Sequence, residues 1–168
     1  TIKYKFFENG VQIVTEGEIN EMINCPFIPR LGFEFTFNKE NDTFTYFGMG
    51  DGENYCDMNA HAPIGLYKST AEDEYVPYVR PQEHGNHTET KLLEIDNGLT
   101  FTSDGKFDFN MSLFNSEVLF KTLHREELVE NDYITDINHI IKKADIVDDF
   151  RKNYESIKII AIGDGSND

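Results

Sequence analysis

Leu31-Gly-Phe-Glu-Phe-Thr-Phe37 decides the fold. Leu31, Phe33, Phe35 and Phe37 point one way, and Gly32, Glu34 and Thr36 the other. Alternation with a period of two belongs to a strand with one buried face; a helix would bring its apolar residues back every three or four. Phe107, Phe109, Met111 and Leu113 repeat the pattern against Asp108, Asn110 and Ser112. Outward from these anchors the same grammar holds. Ile2, Tyr4 and Phe6 alternate with Lys3 and Lys5, Glu8-Asn9-Gly10 turns the chain, and Val11 and Ile13 return. Phe44 and Tyr46 share one face of a strand over 43–47, and residues 64–68 are short and extended. Leu93 and Ile95 mark a strand over 90–95, followed by a hairpin turn at Asp96-Asn97-Gly98. Leu99, Phe101 and Thr102 come back, and Ser103-Asp104-Gly105 reads as another turn. Strands about 10 residues apart with Gly-rich turns predict a mainly β, antiparallel sandwich.

The pattern changes after residue 115. Asn115 or Ser116 can cap a short helix over 116–123, carrying Val118, Leu119 and Leu123. From about Ile137 the spacing of Ile137, Ile140, Ile141, Ala144, Ile146, Val147 and Phe150 predicts a helix over 137–155. Ile157-Lys-Ile-Ile-Ala-Ile162 then reads as a buried strand of the parallel kind. The chain therefore divides into a β body over 1–136 and a short α/β tail over 137–168.

Composition narrows the function. The net charge of −16 repels phosphate backbones and anionic lipid, which argues against nucleic acid and membrane partners. No apolar run reaches the roughly 18–20 residues of a membrane span. Cys25 and Cys56 could pair, but two thiols are no disulfide framework. Buried free thiols and a cytoplasmic location are the expectation.

Specific chemistry concentrates in two polar turns, Gly48-Met-Gly-Asp-Gly-Glu-Asn-Tyr-Cys-Asp57 and Tyr75-Val-Pro-Tyr-Val-Arg-Pro-Gln-Glu-His-Gly-Asn-His87. Glu53, Asn54, Tyr55 and Asp57 in the first, and Glu83, His84 and Asn86 in the second, are candidates to face a ligand. Asn and Asp also close turns by bonding backbone, which is the competing role. Tyr75 and Tyr78 flank a proline and either stack on a ring or pack in the core. His84, His87 and His124 lack the spacing of a metal set. Glu72-Asp-Glu74 reads as a solvated acidic face.

Taken in order, these motifs resemble the C-terminal domain of bacterial β-galactosidases of glycoside hydrolase family 2. The set runs through Pro29-Arg-Leu-Gly32, Gly48-Met-Gly50, Glu53-Asn-Tyr55 with Asp57, and Gly65-Leu-Tyr67. Tyr75-Val-Pro-Tyr78, Pro81-Gln-Glu-His-Gly-Asn86 with Thr88, and His124-Arg-Glu-Glu-Leu128 complete it. It covers about residues 1–135. Asp51 stands where the family has proline, Met58 and His87 where it has arginine, and Glu126 where it has a second histidine. The two missing arginines leave open how ion pairs brace these turns. The resemblance implies an antiparallel super-sandwich similar to galactose mutarotases, incomplete at this length. It also makes His124 a candidate sugar-facing residue. The chain has no Trp, so the tryptophan that family members lend to the sugar site has no counterpart.

In the resembled enzymes both catalytic glutamates lie on a (β/α)8 barrel, and nothing in this chain reads as eight βα units. The implied role is an accessory domain without catalytic residues. It would pack against the barrel of its parent, wall a cleft for a galactoside or other carbohydrate, and support a homo-oligomer. A free-standing carbohydrate-binding module is the rival reading. A third comes from the tail. Lys142 or Lys143 followed by Gly163-Asp-Gly-Ser-Asn-Asp168 resembles the end of a haloacid-dehalogenase-type phosphatase, which would make Asp164 and Asp168 Mg²⁺ ligands. No cofactor is expected in the rest of the segment; Mg²⁺ belongs to the parent enzyme or to this tail.

Overall fold

Alternating phenylalanines bury one face of a sheet only if strands of matching register lie beside them, and the register here is antiparallel throughout. The computed structural model describes residues 1–16, 31–96 and 98–130, and the backbone of 133–139. Strands β1 (Ile2–Phe7) and β2 (Gly10–Thr15) form a separate hairpin in which Tyr4 faces Ile13 and Phe6 faces Val11. The main sheet contains β3 (Gly32–Asn38), β4 (Thr43–Met49), β5 (Ile64–Thr70), β6 (Asn86–Ile95), β7 (Thr100–Ser112) and β8 (Tyr133–His139). Its spatial order is β3-β8-β7-β6-β4-β5. The mainly β, antiparallel architecture expected of a sandwich is what forms.

Phe44, Tyr46, Leu93, Ile95, Phe109 and Met111 are fully buried on the inner face. Burying each such side chain contributes about 1.5–3 kcal/mol. Phe44 meets Phe109 edge to face with ring centroids 5.6 Å apart, and Phe35 lies 5.0 Å from Phe101. Helix α1 (Ser116–Lys121) brings Leu119 onto this core. Asn115 caps it, its side-chain oxygen accepting from the Val118 amide at 2.8 Å. At the Asp96–Gly98 hairpin turn, Gly98 takes φ +91°.

Two expectations need correction. Ser103-Asp104-Gly105 does not separate two strands: β7 runs through it. Leu92 pairs with Thr102 and Thr90 with Phe107, so β7 carries extra residues between those rungs, absorbed as an irregularity within the ladder. A smaller bulge lies opposite, where Glu89 takes φ +60°. The helix expected from Ile137 is also displaced, since residues 137–139 belong to β8. β8 bonds β3 on one side and β7 on the other. Two ladders satisfy its backbone on both sides, and that outweighs a local helical spacing. Residues 140–168 lie outside the described residues, and with them the rest of the expected helix, the tail strand, Asp164 and Asp168.

Candidate functional site

The two polar turns meet at one end of the sheet, and side chains of the first bond the backbone of the second. Asn54 is the hinge of this contact. Its amide donates to the Asn86 carbonyl at 2.7 Å, and the Asn86 side-chain amide returns a bond to the Asn54 carbonyl at 2.7 Å. Asn54 Nδ2 donates to the carbonyls of Met49 and Gly52, at 3.0 and 3.1 Å. Its Oδ1 accepts from the Thr88 amide at 2.9 Å and the Thr88 hydroxyl at 2.7 Å. Asn54, Asn86 and Thr88 are all buried. A side chain with two donors and one carbonyl oxygen has here found four partners in protein.

Glu53 forms a second tie. Its carboxylate accepts from the Gly85 amide at 3.0 Å, from the Tyr55 hydroxyl at 3.3 Å, and from the Tyr78 hydroxyl. Burial, then this bond to Glu53 and then its charge, push the Tyr78 hydroxyl up to about 12. Gly85 is required at this point. Its φ is +66°, and a Cβ would lie 2.9 Å from the Glu74 carbonyl oxygen. Gly50 answers a different need: a Cβ there would come within 2.8 Å of the Tyr67 ring.

Beneath the second turn lies a buried carboxylate–imidazole contact that the acidic run concealed. Glu72 and Asp73 are exposed, as a solvated face should be, but Glu74 is 5% exposed. Its Oε2 lies 3.0 Å from Nε2 of the fully buried His87. The approach is close without being an aligned hydrogen bond. The Tyr46 hydroxyl lies 2.9 Å from the other ring nitrogen, Nδ1. Burial, then the nearby Glu74 charge, hold the Tyr46 hydroxyl well above the ordinary tyrosine range, so it keeps its proton. Phe109 closes the far side, 5.2 Å between ring centroids. His87 therefore sets an imidazole against Glu74 at the position where the family motif carries arginine.

His84 is buried and differs from His87 in its partners. Its Nδ1 donates to the Gln82 carbonyl at 3.0 Å, and Nε2 meets the Ser112 hydroxyl at 3.4 Å. Tyr75 packs on its edge at 5.2 Å. Burial lowers the His84 pKa from 6.5 and keeps the ring neutral. Below about pH 6.5 the unfolded chain takes up a proton that the folded chain refuses. Stability from this group is complete above that pH and declines as pH falls, by at most about 1.4 kcal/mol per pH unit. Melting temperatures between pH 7 and 5.5 are expected to fall less steeply for His84→Gln than for the unaltered chain. Equal slopes would show that His84 is protonated in the fold.

The candidates thus occupy three environments. Asn54, His84 and Asn86 are buried, Glu53, Tyr55 and Glu83 are half-buried, and Asp57 and His124 are exposed. The Glu83 carbonyl accepts from the Tyr55 hydroxyl at 3.4 Å. His124 precedes a 3-10 turn (Arg125–Glu127), and Arg125 Nη1 reaches the Pro77 carbonyl of the second polar turn at 3.5 Å. Sequence reasoning missed Glu74 and Tyr46 as partners of His87. Cys56 is exposed rather than buried, because it sits on the outer side of the first turn, while Cys25 lies outside the described residues. Among the described residues no three His, Cys, Asp or Glu side chains converge as a metal set, and no helix is long and apolar enough to cross a membrane.

The interlock is built from the residues of one motif series, and that series extends along most of the chain. The family described as "Beta galactosidase small chain" matches residues 1–145. The chain belongs to the β-galactosidase small-chain family. The β-galactosidase of Actinobacillus pleuropneumoniae is 36% identical over 132 residues, covering 79% of this chain and 13% of that protein. That of Kluyveromyces lactis is 36% identical over 118 residues, 70% of this chain and 11% of the enzyme. That of Staphylococcus xylosus is 30% identical over 135 residues, 79% and 14%. The small-chain segment spans about an eighth of the length of these curated relatives. The family match ends at residue 145 and lends no support to the phosphatase resemblance of the tail.

Proposed function

We propose that this chain is the accessory small-chain module of a β-galactosidase. In this reading it packs against the catalytic barrel of its parent, walls the cleft that holds a terminal β-galactoside, and supports contacts in a cytoplasmic homo-oligomer. The single observation that carries the reading is the mutual bonding of Asn54 and Asn86. The family motif is turned inward there, onto itself. Motif residues used this way shape a wall; they do not attack a substrate. The two carboxylates of a retaining glycosidase, about 5–5.5 Å apart, then belong to the rest of the parent enzyme. Any Mg²⁺ is assigned there too.

The test is activity. The purified chain is expected to leave a chromogenic β-galactoside unhydrolysed, while its full-length parent hydrolyses it. Turnover that co-elutes with the 168-residue chain on size exclusion would place a catalytic centre within it and overturn the reading.

A further inference from the structure

Sheet register divides the outer face, turned away from Phe44, Tyr46, Leu93 and Ile95, into two unlike halves. Phe47 pairs with Leu66 of β5 and Leu92 of β6, and Met49 pairs with Ile64. Two residues back along β4, Thr45 pairs with Lys68 and Glu94, and Thr43 pairs with Thr70. Side chains two apart on a strand share a face. One half is therefore an apolar patch of Phe47, Met49, Ile64, Leu66 and Leu92, and the other half is polar. Exposure is 67% for Leu66, 59% for Ile64 and 39% for Phe47. β5 is also the last strand of the sheet, with a neighbour on one side only among the described residues. Apolar side chains beside an open strand edge form a surface that binds something.

We infer that the apolar half of this face seats another domain of the parent polypeptide, an inference that rests on the β-galactosidase module reading. The length of the relatives chooses that occupant over a second copy: about seven-eighths of it lies outside the matched segment. A surface on the same polypeptide is present at high effective concentration and needs little affinity of its own. Its chemistry follows from the register: apolar opposite Leu66 and Phe47, and basic toward the exposed Glu94.

The experiment is hydrogen–deuterium exchange on the full-length parent, read at residues 63–71, for three forms of the protein. These are the unaltered parent, Leu66→Asp, and Leu123→Asp as an exposed apolar control off this face. Residues 63–71 are expected to be protected in the unaltered parent. Leu66→Asp should speed their exchange at least about tenfold, while Leu123→Asp leaves it unchanged. Unchanged exchange over 90–95 checks that the module stays folded. Free exchange at 63–71 in the unaltered parent, or no response to Leu66→Asp, overturns the inference. Protection that grows with protein concentration overturns it in favour of a second copy. β-Galactoside hydrolysis is measured separately. A parent that protects 63–71 without hydrolysing galactoside retains the docking surface and loses the functional reading.

Discussion

Glu74→Ala is expected to destabilise the chain by about 1–3 kcal/mol, the usual effect of leaving a buried polar group without its partner. His87 is fully buried and Glu74 nearly so, with 3.0 Å between Nε2 and Oε2. With the carboxylate gone, the imidazole keeps Tyr46 as a partner on one nitrogen and faces a void with the other. Water replaces the lost partner poorly there, because Phe109 and Tyr46 pack directly against the ring. Denaturant unfolding measures the difference. A pair replaced as a whole is a different matter. Glu74→Leu combined with His87→Leu removes both buried polar groups at once and should recover a large part of the loss. A Glu74→Ala loss below about 1 kcal/mol would show that the pair is solvated in the folded protein.

Asn54→Ala is expected to cost about 3 kcal/mol or more. It orphans the buried Thr88 amide and hydroxyl and the half-buried Met49 carbonyl, and each buried group left unmade costs about 1–3 kcal/mol. The loss should be cooperative, since the same residue holds the first turn closed and ties it to β6. Asn54→Asp distinguishes the two sides of the residue. It keeps the acceptor for Thr88 and removes the donors to Met49 and Gly52, so it should fall between the unaltered chain and alanine. A fully stable Asn54→Ala would mean that the two turns are held by something other than this interlock.

Much of this architecture was legible in the amino-acid sequence because a strand face declares itself locally. Phe33, Phe35 and Phe37 sit on one side of β3, and Phe44 and Tyr46 on one side of β4, as alternation demands. β8 was hidden because its identity is set from outside. Tyr133, Ile134 and Ile137 show no period of two, and the strand exists because β3 and β7 leave a gap one strand wide. The Ser103–Gly105 turn was overread for a similar reason. Gly105 is a turn signal only if it takes positive φ, and the residues with positive φ on this hairpin are Glu89 and Gly98. In the polar turns the residue types were right, but their partners lie about 30 residues apart in sequence. Glu74 looked solvated beside Glu72 and Asp73. The clue lay elsewhere, in a histidine at the position where the family carries arginine, since a buried polar ring at 87 needs a polar partner close by.

The pairing of β3 with β8 sets a timetable for synthesis. Asn38 waits for Tyr133 and Gly32 for His139, and β8 is the neighbour of β3 in the sheet. A ribosome adding about 5–20 residues per second needs roughly 5–20 s to make the intervening hundred. Through that interval Phe33, Phe35 and Phe37 belong to a strand whose ladder partner among the described residues is not yet made. The nascent chain can assemble β4 to β7 first, because those strands pair with near neighbours at low loop-closure cost. Chaperone capture, if the chain needs it, should therefore map to the β3 segment.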